Sequence, residues 1–109
     1  MLGLPDDIFV TDCPYRVEKH DYYITLVFAS GERWPFSVSS NLLTYSAIHN
    51  FVEDVVQYGQ GTLTISDIWT ITYTADRPTL IVIGYRYWPR PGEIPFCREL
   101  FDTLMNMAR

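Results

Sequence analysis

Four side chains in this 109-residue chain are of the thiol or imidazole type that binds transition metals: Cys13, His20, His49 and Cys97. Structural zinc sites draw their ligands as closely spaced pairs of the C-x2-C kind, and no two of these four stand at such an interval. A metal site is therefore not expected. Cys13, with Asp12 beside it and His20 nearby in sequence, has the residue types of an activated nucleophile. Such a thiol needs a cation or a helix terminus to lower its pKa, and the sequence offers neither at Cys13, which precedes Pro14 in a segment that reads as an edge strand. Acid–base catalysis by paired carboxylates requires one of them in an apolar pocket. Asp67 is the only acid that alternation places on an apolar face, and Arg86 is positioned to keep it ionised. There is no Gly-rich phosphate loop, Ser-centred elbow or metal-binding acidic loop. No catalytic residue and no cofactor is expected, and the balance falls against an enzyme.

What the chain does carry is an aromatic surface. Alternation places Ile81, Ile83, Tyr85 and Tyr87, with Ile68, on the face of a hairpin opposite its core, among threonines. The connection that follows reads Arg86-Tyr87-Trp88-Pro89-Arg90-Pro91-Gly92. Tyr, Trp and Arg are the types enriched at binding hot spots, because they combine large rigid area with a polar handle. Arg90 stands between two prolines whose fixed φ angles limit the entropy lost on docking. The expected partner-binding residues are thus Tyr85, Tyr87, Trp88, Arg90, Ile81 and Ile83. The competing structural reading is that this face is covered by the N-terminal segment or a helix.

The elements that must hold these residues follow from periodicity. Residues 8–11 and 15–18 are candidate short edge strands among Pro5 and Pro14. From Tyr22 to Ala29, Tyr22, Ile24, Leu26 and Phe28 share one face. Trp34, Phe36 and Val38 form the apolar face of a second strand, and Phe28 lies on the same face as Trp34 only if the connection is odd in length, of three or five residues. Pro35, with no amide donor, marks an edge or a bulge. Ser39, Ser40 and Asn41 are candidate N-caps of a helix over 42–58, whose core stripe is Ile48, Phe51, Val52 and Val55 and whose stop is Gly59. Residues 62–74 read as one strand with every odd position apolar except Asp67. A four-residue turn, Ala75-Asp76-Arg77-Pro78, then leads to a strand over 79–88, placing Tyr73 opposite Leu80, Ile71 opposite Val82, Trp69 opposite Gly84 and Asp67 opposite Arg86. Residues 95–109 read as a final helix with Pro95 in its first turn and Leu100, Phe101 and Leu104 facing the core.

The fold class expected is α+β: an antiparallel sheet of four to six strands in the order (β)ββ-α-ββ-α, with two helices packed on one face. The length fits one domain over residues 1–109. A hydrophobic share of 48% excludes disorder. Thirteen acidic residues against eight basic ones give a net charge of −5, which repels phosphate and disfavours nucleic acid as a partner. No apolar run is long enough to span a bilayer and the N-terminus lacks a secretory pattern, so a cytoplasmic protein with reduced thiols is expected. These features point to a non-catalytic protein-binding module, a small acidic antagonist, immunity or adaptor protein of bacterial or viral type. It would occlude another protein, as a monomer or a homodimer. Two alternatives stand beside it. One is a dimeric chaperone similar in build to the acidic type III secretion chaperones, although the helix expected before the first strand is missing. The other is a small enzyme or ligand-binding domain with a pocket between sheet and helices.

Overall fold

The computed structural model describes residues 3–85 and 92–108. An N-terminal arm with a short 3-10 turn at Asp6–Ile8 leads into strands β1 (Tyr15–Lys19), β2 (Tyr23–Phe28) and β3 (Arg33–Ser37). Helix α1 (Tyr45–Tyr58) follows, then strands β4 (Gln60–Thr64), β5 (Trp69–Thr74), β6 (Leu80–Tyr85) and β7 (Gly92–Pro95), and helix α2 (Arg98–Met107). The class is α+β as expected. The single sheet of four to six strands in the order (β)ββ-α-ββ-α is instead two antiparallel sheets, β1-β2-β3 and β4-β5-β6-β7, because two additional strands, β4 and β7, form between the helices.

The first hairpin obeys its parity argument. Leu26 pairs with Trp34 and Ile24 with Phe36, and the Phe28 and Trp34 rings meet with centroids 5.1 Å apart. The Phe28 amide donates to the Glu32 carbonyl at 2.9 Å, leaving Ala29-Ser30-Gly31 as the turn. Gly31 supplies the left-handed conformation that this three-residue connection needs, at φ 91°. β3, which carries Pro35, is an edge strand. Of the two candidate edge strands near the N-terminus, 15–18 forms as β1 against β2, and residues 8–11 form no strand.

α1 starts at Tyr45, later than its Ser and Asn candidates suggested, because Thr44 is the residue that caps it: its hydroxyl accepts from the Ala47 amide at 3.1 Å. Ser39 to Leu43 turn instead, with the Leu43 amide on the Ser39 carbonyl at 2.8 Å. Gly59 ends the helix in the left-handed conformation, φ 72°. β4 begins at the next residue. A β-carbon on Gly61 would lie 3.0 Å from both the Phe51 carbonyl oxygen and Val55 Cγ2, so α1 rests directly on the backbone of β4.

Three expectations in the second half are corrected. Residues 62–74 are two strands, with Leu63 opposite Ile71 and Thr62 opposite Thr72. The Ser66 hydroxyl closes the turn, accepting from the amides of Trp69 at 3.1 Å and Ile68 at 3.4 Å. Asp67 sits exposed at the tip and not on a sheet face. The next hairpin is displaced by one residue: Tyr73 faces Ile81, Ile71 faces Ile83 and Trp69 faces Tyr85. Its connection runs one residue longer, through Thr79, which takes a left-handed φ of 68°. A one-residue slip turns a whole strand over, so Ile81 and Ile83 are core residues, 1% and 3% exposed. Lastly, Pro95 belongs to β7, which pairs with β6 through Ile81–Ile94 and Leu80–Pro95, and α2 begins only after its N-cap Cys97.

The two sheets meet where the Ser39 amide donates to the Ile65 carbonyl at 2.7 Å, Ser37 Oγ donates to Ser66 Oγ at 3.2 Å and Phe36 packs on Trp69. One buried cluster joins both sheets and both helices and includes Phe51, Val52, Val55, Leu100, Phe101 and Leu104. Cys13 and Cys97 form a disulfide. The expectation of two reduced thiols is thereby corrected, and a disulfide is the form such a pair takes in a non-reducing compartment. Among the described residues no helix is long and apolar enough to cross a membrane.

Candidate functional site

The sequence-predicted partner surface divides. Ile81 and Ile83 point into the core and are unavailable to a partner in this structure. Tyr85 is the last residue of β6, opposite Trp69. Tyr87, Trp88 and Arg90 lie outside the described residues, as does Arg86, so the expected Asp67–Arg86 pairing falls there too.

The metal-type residues do not converge. The two cysteines are bonded to each other. His49 lies on the exposed side of α1, its Nε2 3.0 Å from Glu53 Oε1 one helical turn on. His20 is at the β1–β2 turn. Among the described residues no three His, Cys, Asp or Glu side chains stand close enough to hold a metal ion.

The feature that the sequence reading missed is the end of the β1–β2 hairpin. The His20 amide donates to the Tyr23 carbonyl at 3.0 Å, and the Val38 amide to the Tyr22 carbonyl at 2.8 Å, which fixes the turn against the exit of β3. The imidazole of His20 stacks on the Tyr23 ring, centroids 4.2 Å apart and planes 16° from parallel. Tyr22 projects outward and is 80% exposed, and Tyr23 is 43% exposed. Beside them a groove of about 510 Å³ opens between the hairpin tip and the C-terminal end of α2, with Lys19, His20, Tyr22, Val38, Asn106 and Met107 among its walls. Alternation had placed Tyr22 on the inward face with Ile24. It escapes because β2 starts only at Tyr23 and the pleat does not extend into the turn. The sequence signal was His20-Asp21-Tyr22-Tyr23, two adjacent aromatics at a turn, where at most one can face inward.

The hairpin is braced on its outer side by Glu18. This carboxylate accepts from Arg33 at 2.5 Å, and Arg16 Nη1 and His20 Nε2 lie 3.2 Å and 3.8 Å from it. The Arg33 hydrogen bond, with the charges of Arg33, Arg16 and His20, holds its carboxyl below the usual glutamate range. At the opposite end of β1 the Tyr15 hydroxyl donates to the Pro95 carbonyl at 2.7 Å. Burial raises the Tyr15 pKa far above that of a free phenol. Burial, with the Asp7 carboxylate adding to it, raises that of Tyr73 as well. These tyrosines tie elements together, whereas Tyr22 and Tyr23 face solvent. Compared with protein-family models, with curated proteins and with solved structures, the chain shows no match.

Proposed function

We propose that this chain is a non-catalytic protein-binding module that acts by occluding a partner protein, in the manner of a small antagonist, immunity or adaptor protein. One observation carries the reading: two adjacent tyrosines, one of them 80% exposed, stand on a braced hairpin tip beside a groove. Exposed aromatic area held rigid before docking loses little conformational entropy on binding, which is why Tyr anchors recur at hot spots. Tyr85, Tyr87, Trp88 and Arg90 stay in the proposal as a second set of anchors on the strength of their types and of the prolines that flank Arg90. Ile81 and Ile83 leave it.

The test is co-purification of the parent, of Tyr22→Ala/Tyr23→Ala and of Tyr87→Ala/Arg90→Ala, each variant first shown to melt near the parent. A stoichiometric protein retained by the parent and lost by either variant supports the reading and says which surface binds. Retention by both variants places the interface elsewhere, and light scattering decides between monomer and homodimer. The volume of the groove favours one other reading, a small-ligand site, since ligand pockets commonly span about 300–1,000 Å³. Native mass spectrometry showing a bound small molecule and no protein partner would decide for it.

A further inference from the structure

We propose that the Cys13–Cys97 disulfide is a site of thiol–disulfide exchange with a dithiol, and that its reduction releases the N-terminal arm, residues 3–14, while the sheets stay folded. The inference stands whether or not the protein-binding reading holds.

Apart from the Ala29 amide, which donates to the Pro14 carbonyl at 3.3 Å, the attachments of the arm converge on the β7–α2 junction. The Val10 amide donates to the Phe96 carbonyl at 3.0 Å. The Phe9 ring packs on Phe96 and Phe101 with centroids 4.9 Å and 5.9 Å away. Arg98 pairs with Asp6 and lays its guanidinium 4.6 Å over the Phe9 ring. The disulfide joins the same two segments, from Cys13 at the end of the arm to Cys97 at the head of α2.

The two sulfurs are unequal in a way that orders the chemistry. Cys13 is an exposed residue beside a shallow surface depression shared with Pro14 and Val27. Cys97 is 1% exposed and is the N-cap of α2, with no side-chain capping hydrogen bond. An incoming thiolate reaches Cys13. As its sulfur bonds to Cys13 Sγ, the bond to Cys97 breaks and Cys97 leaves as a thiolate at a helix N-terminus, where free N–H groups and the helix dipole stabilise negative charge. A leaving thiol of lowered pKa leaves faster. The second thiol of the dithiol then attacks its own sulfur in the mixed disulfide and expels Cys13. The dithiol departs as a disulfide, and two electrons and two protons have passed to the cysteines.

Without the bond, the arm is held, among the described residues, by the burial of Leu4, Ile8 and Phe9, by two backbone hydrogen bonds, Val10 to the Phe96 carbonyl and Ala29 to the Pro14 carbonyl, and by the exposed Arg98, which stacks on Phe9 and pairs with Asp6, an ion pair that adds little. It pairs with no strand among the described residues. Segments held in this way open locally, at a lower free energy than the sheets that they cover.

Hydrogen exchange on the oxidised parent, on the parent in dithiothreitol and on Cys13→Ser tests this, with alkylation and peptide mapping to count thiols. The expected result has four parts. No thiol is alkylated before reduction and two are alkylated after. Glutathione is trapped on Cys13 and not on Cys97. Exchange over residues 4–12 rises about tenfold or more in both the reduced parent and the variant. The amides of β2 and β5 keep their protection. Unchanged exchange in the arm overturns the proposal, and so do free thiols in the untreated protein. Equal loss of protection in the sheets also overturns it, since the bond would then be a global staple. Should Cys13→Ser fail to fold, the reduced parent decides alone.

Discussion

Two side chains, Tyr15 and Glu18, lie three residues apart on β1 and respond to pH in opposite senses. The Tyr15 hydroxyl is buried against the Pro95 carbonyl, so Tyr15→Phe removes the donor and leaves a carbonyl short of one partner. A loss of about 1–2 kcal/mol in urea unfolding is expected, and unchanged stability would mean that water replaces the hydroxyl without cost. The folded pKa of Tyr15 is raised, so the stability linked to its neutral form is complete below about pH 10, the ordinary phenol value, and is lost as pH rises above it. Tyr15→Phe is therefore expected to flatten the alkaline limb of the stability profile, leaving the smaller contribution of Tyr73. Glu18 works the other way. Its folded pKa is lowered, so its contribution is present above the ordinary carboxylate range and is lost as pH falls through the folded value. Because Arg33 is the main cause, Arg33→Ala is expected to move the Glu18 carboxyl midpoint upward in an NMR titration. An unmoved midpoint would remove Arg33 from the account. Of the two exposed tyrosines of the candidate site, alternation sends Tyr23 outward and Tyr22 inward, and only Tyr22 departs from it, since it sits one position beyond the strand whose pleat would turn it inward.

Among the elements, the contact most sensitive to a single atom is α1 on β4. Gly61 has 3.0 Å between its would-be β-carbon and the helix backbone at Phe51, and a main-chain atom cannot move aside as a side chain can. Gly61→Ala is expected to cost about 1–3 kcal/mol, the usual range for overpacking. Gly31→Ala serves as the contrast: nothing lies within 4 Å there, and only its positive φ resists the change. If the two variants lose the same stability by chemical denaturation, the helix–strand contact is looser than these distances require. Helix α1 and the first hairpin were legible in sequence because their signals are local: a stripe at helical spacing, a stop glycine, an alternation with a turn of constrained parity. The β4–β5 turn was not legible. An odd-length connection keeps odd positions on one face in both strands, so the alternation runs through Ser66-Asp67-Ile68 as though no turn were there. Asp67, the single exception in that run, marks the turn, although its polarity fits half of an ion pair equally well.

At the scale of the molecule the core has a centre. The Phe96 ring meets Phe9 of the arm, Phe51 of α1, Tyr73 of β5 and Phe101 of α2. Phe96→Ala is expected to cost about 3–5 kcal/mol, the range for a large buried aromatic. Phe28→Ala removes the same atoms from a half-buried site and is expected to cost clearly less. Equal losses in urea unfolding would mean that Phe96 is one core residue among many and does not join four elements. The role of Phe96 is not legible in sequence, because Pro95 ahead of apolar residues at helical spacing reads as the first turn of a helix.

By itself the sequence determined the α+β class, the core stripes of both helices, the parity of the first hairpin and the edge position of the strand bearing Pro35. Each rests on interactions between residues close in the chain, where period and turn chemistry leave few solutions. Only the tertiary structure decided that there are two sheets, that Ile81 and Ile83 face inward, and that Cys13 and Cys97 are joined. The physical reason is the same in all three. A strand with apolar residues on both faces, as Leu80 to Tyr85 has, satisfies either orientation locally. Which face is buried then depends on one residue of loop length, on what packs against it and on segments more than eighty residues apart in the chain.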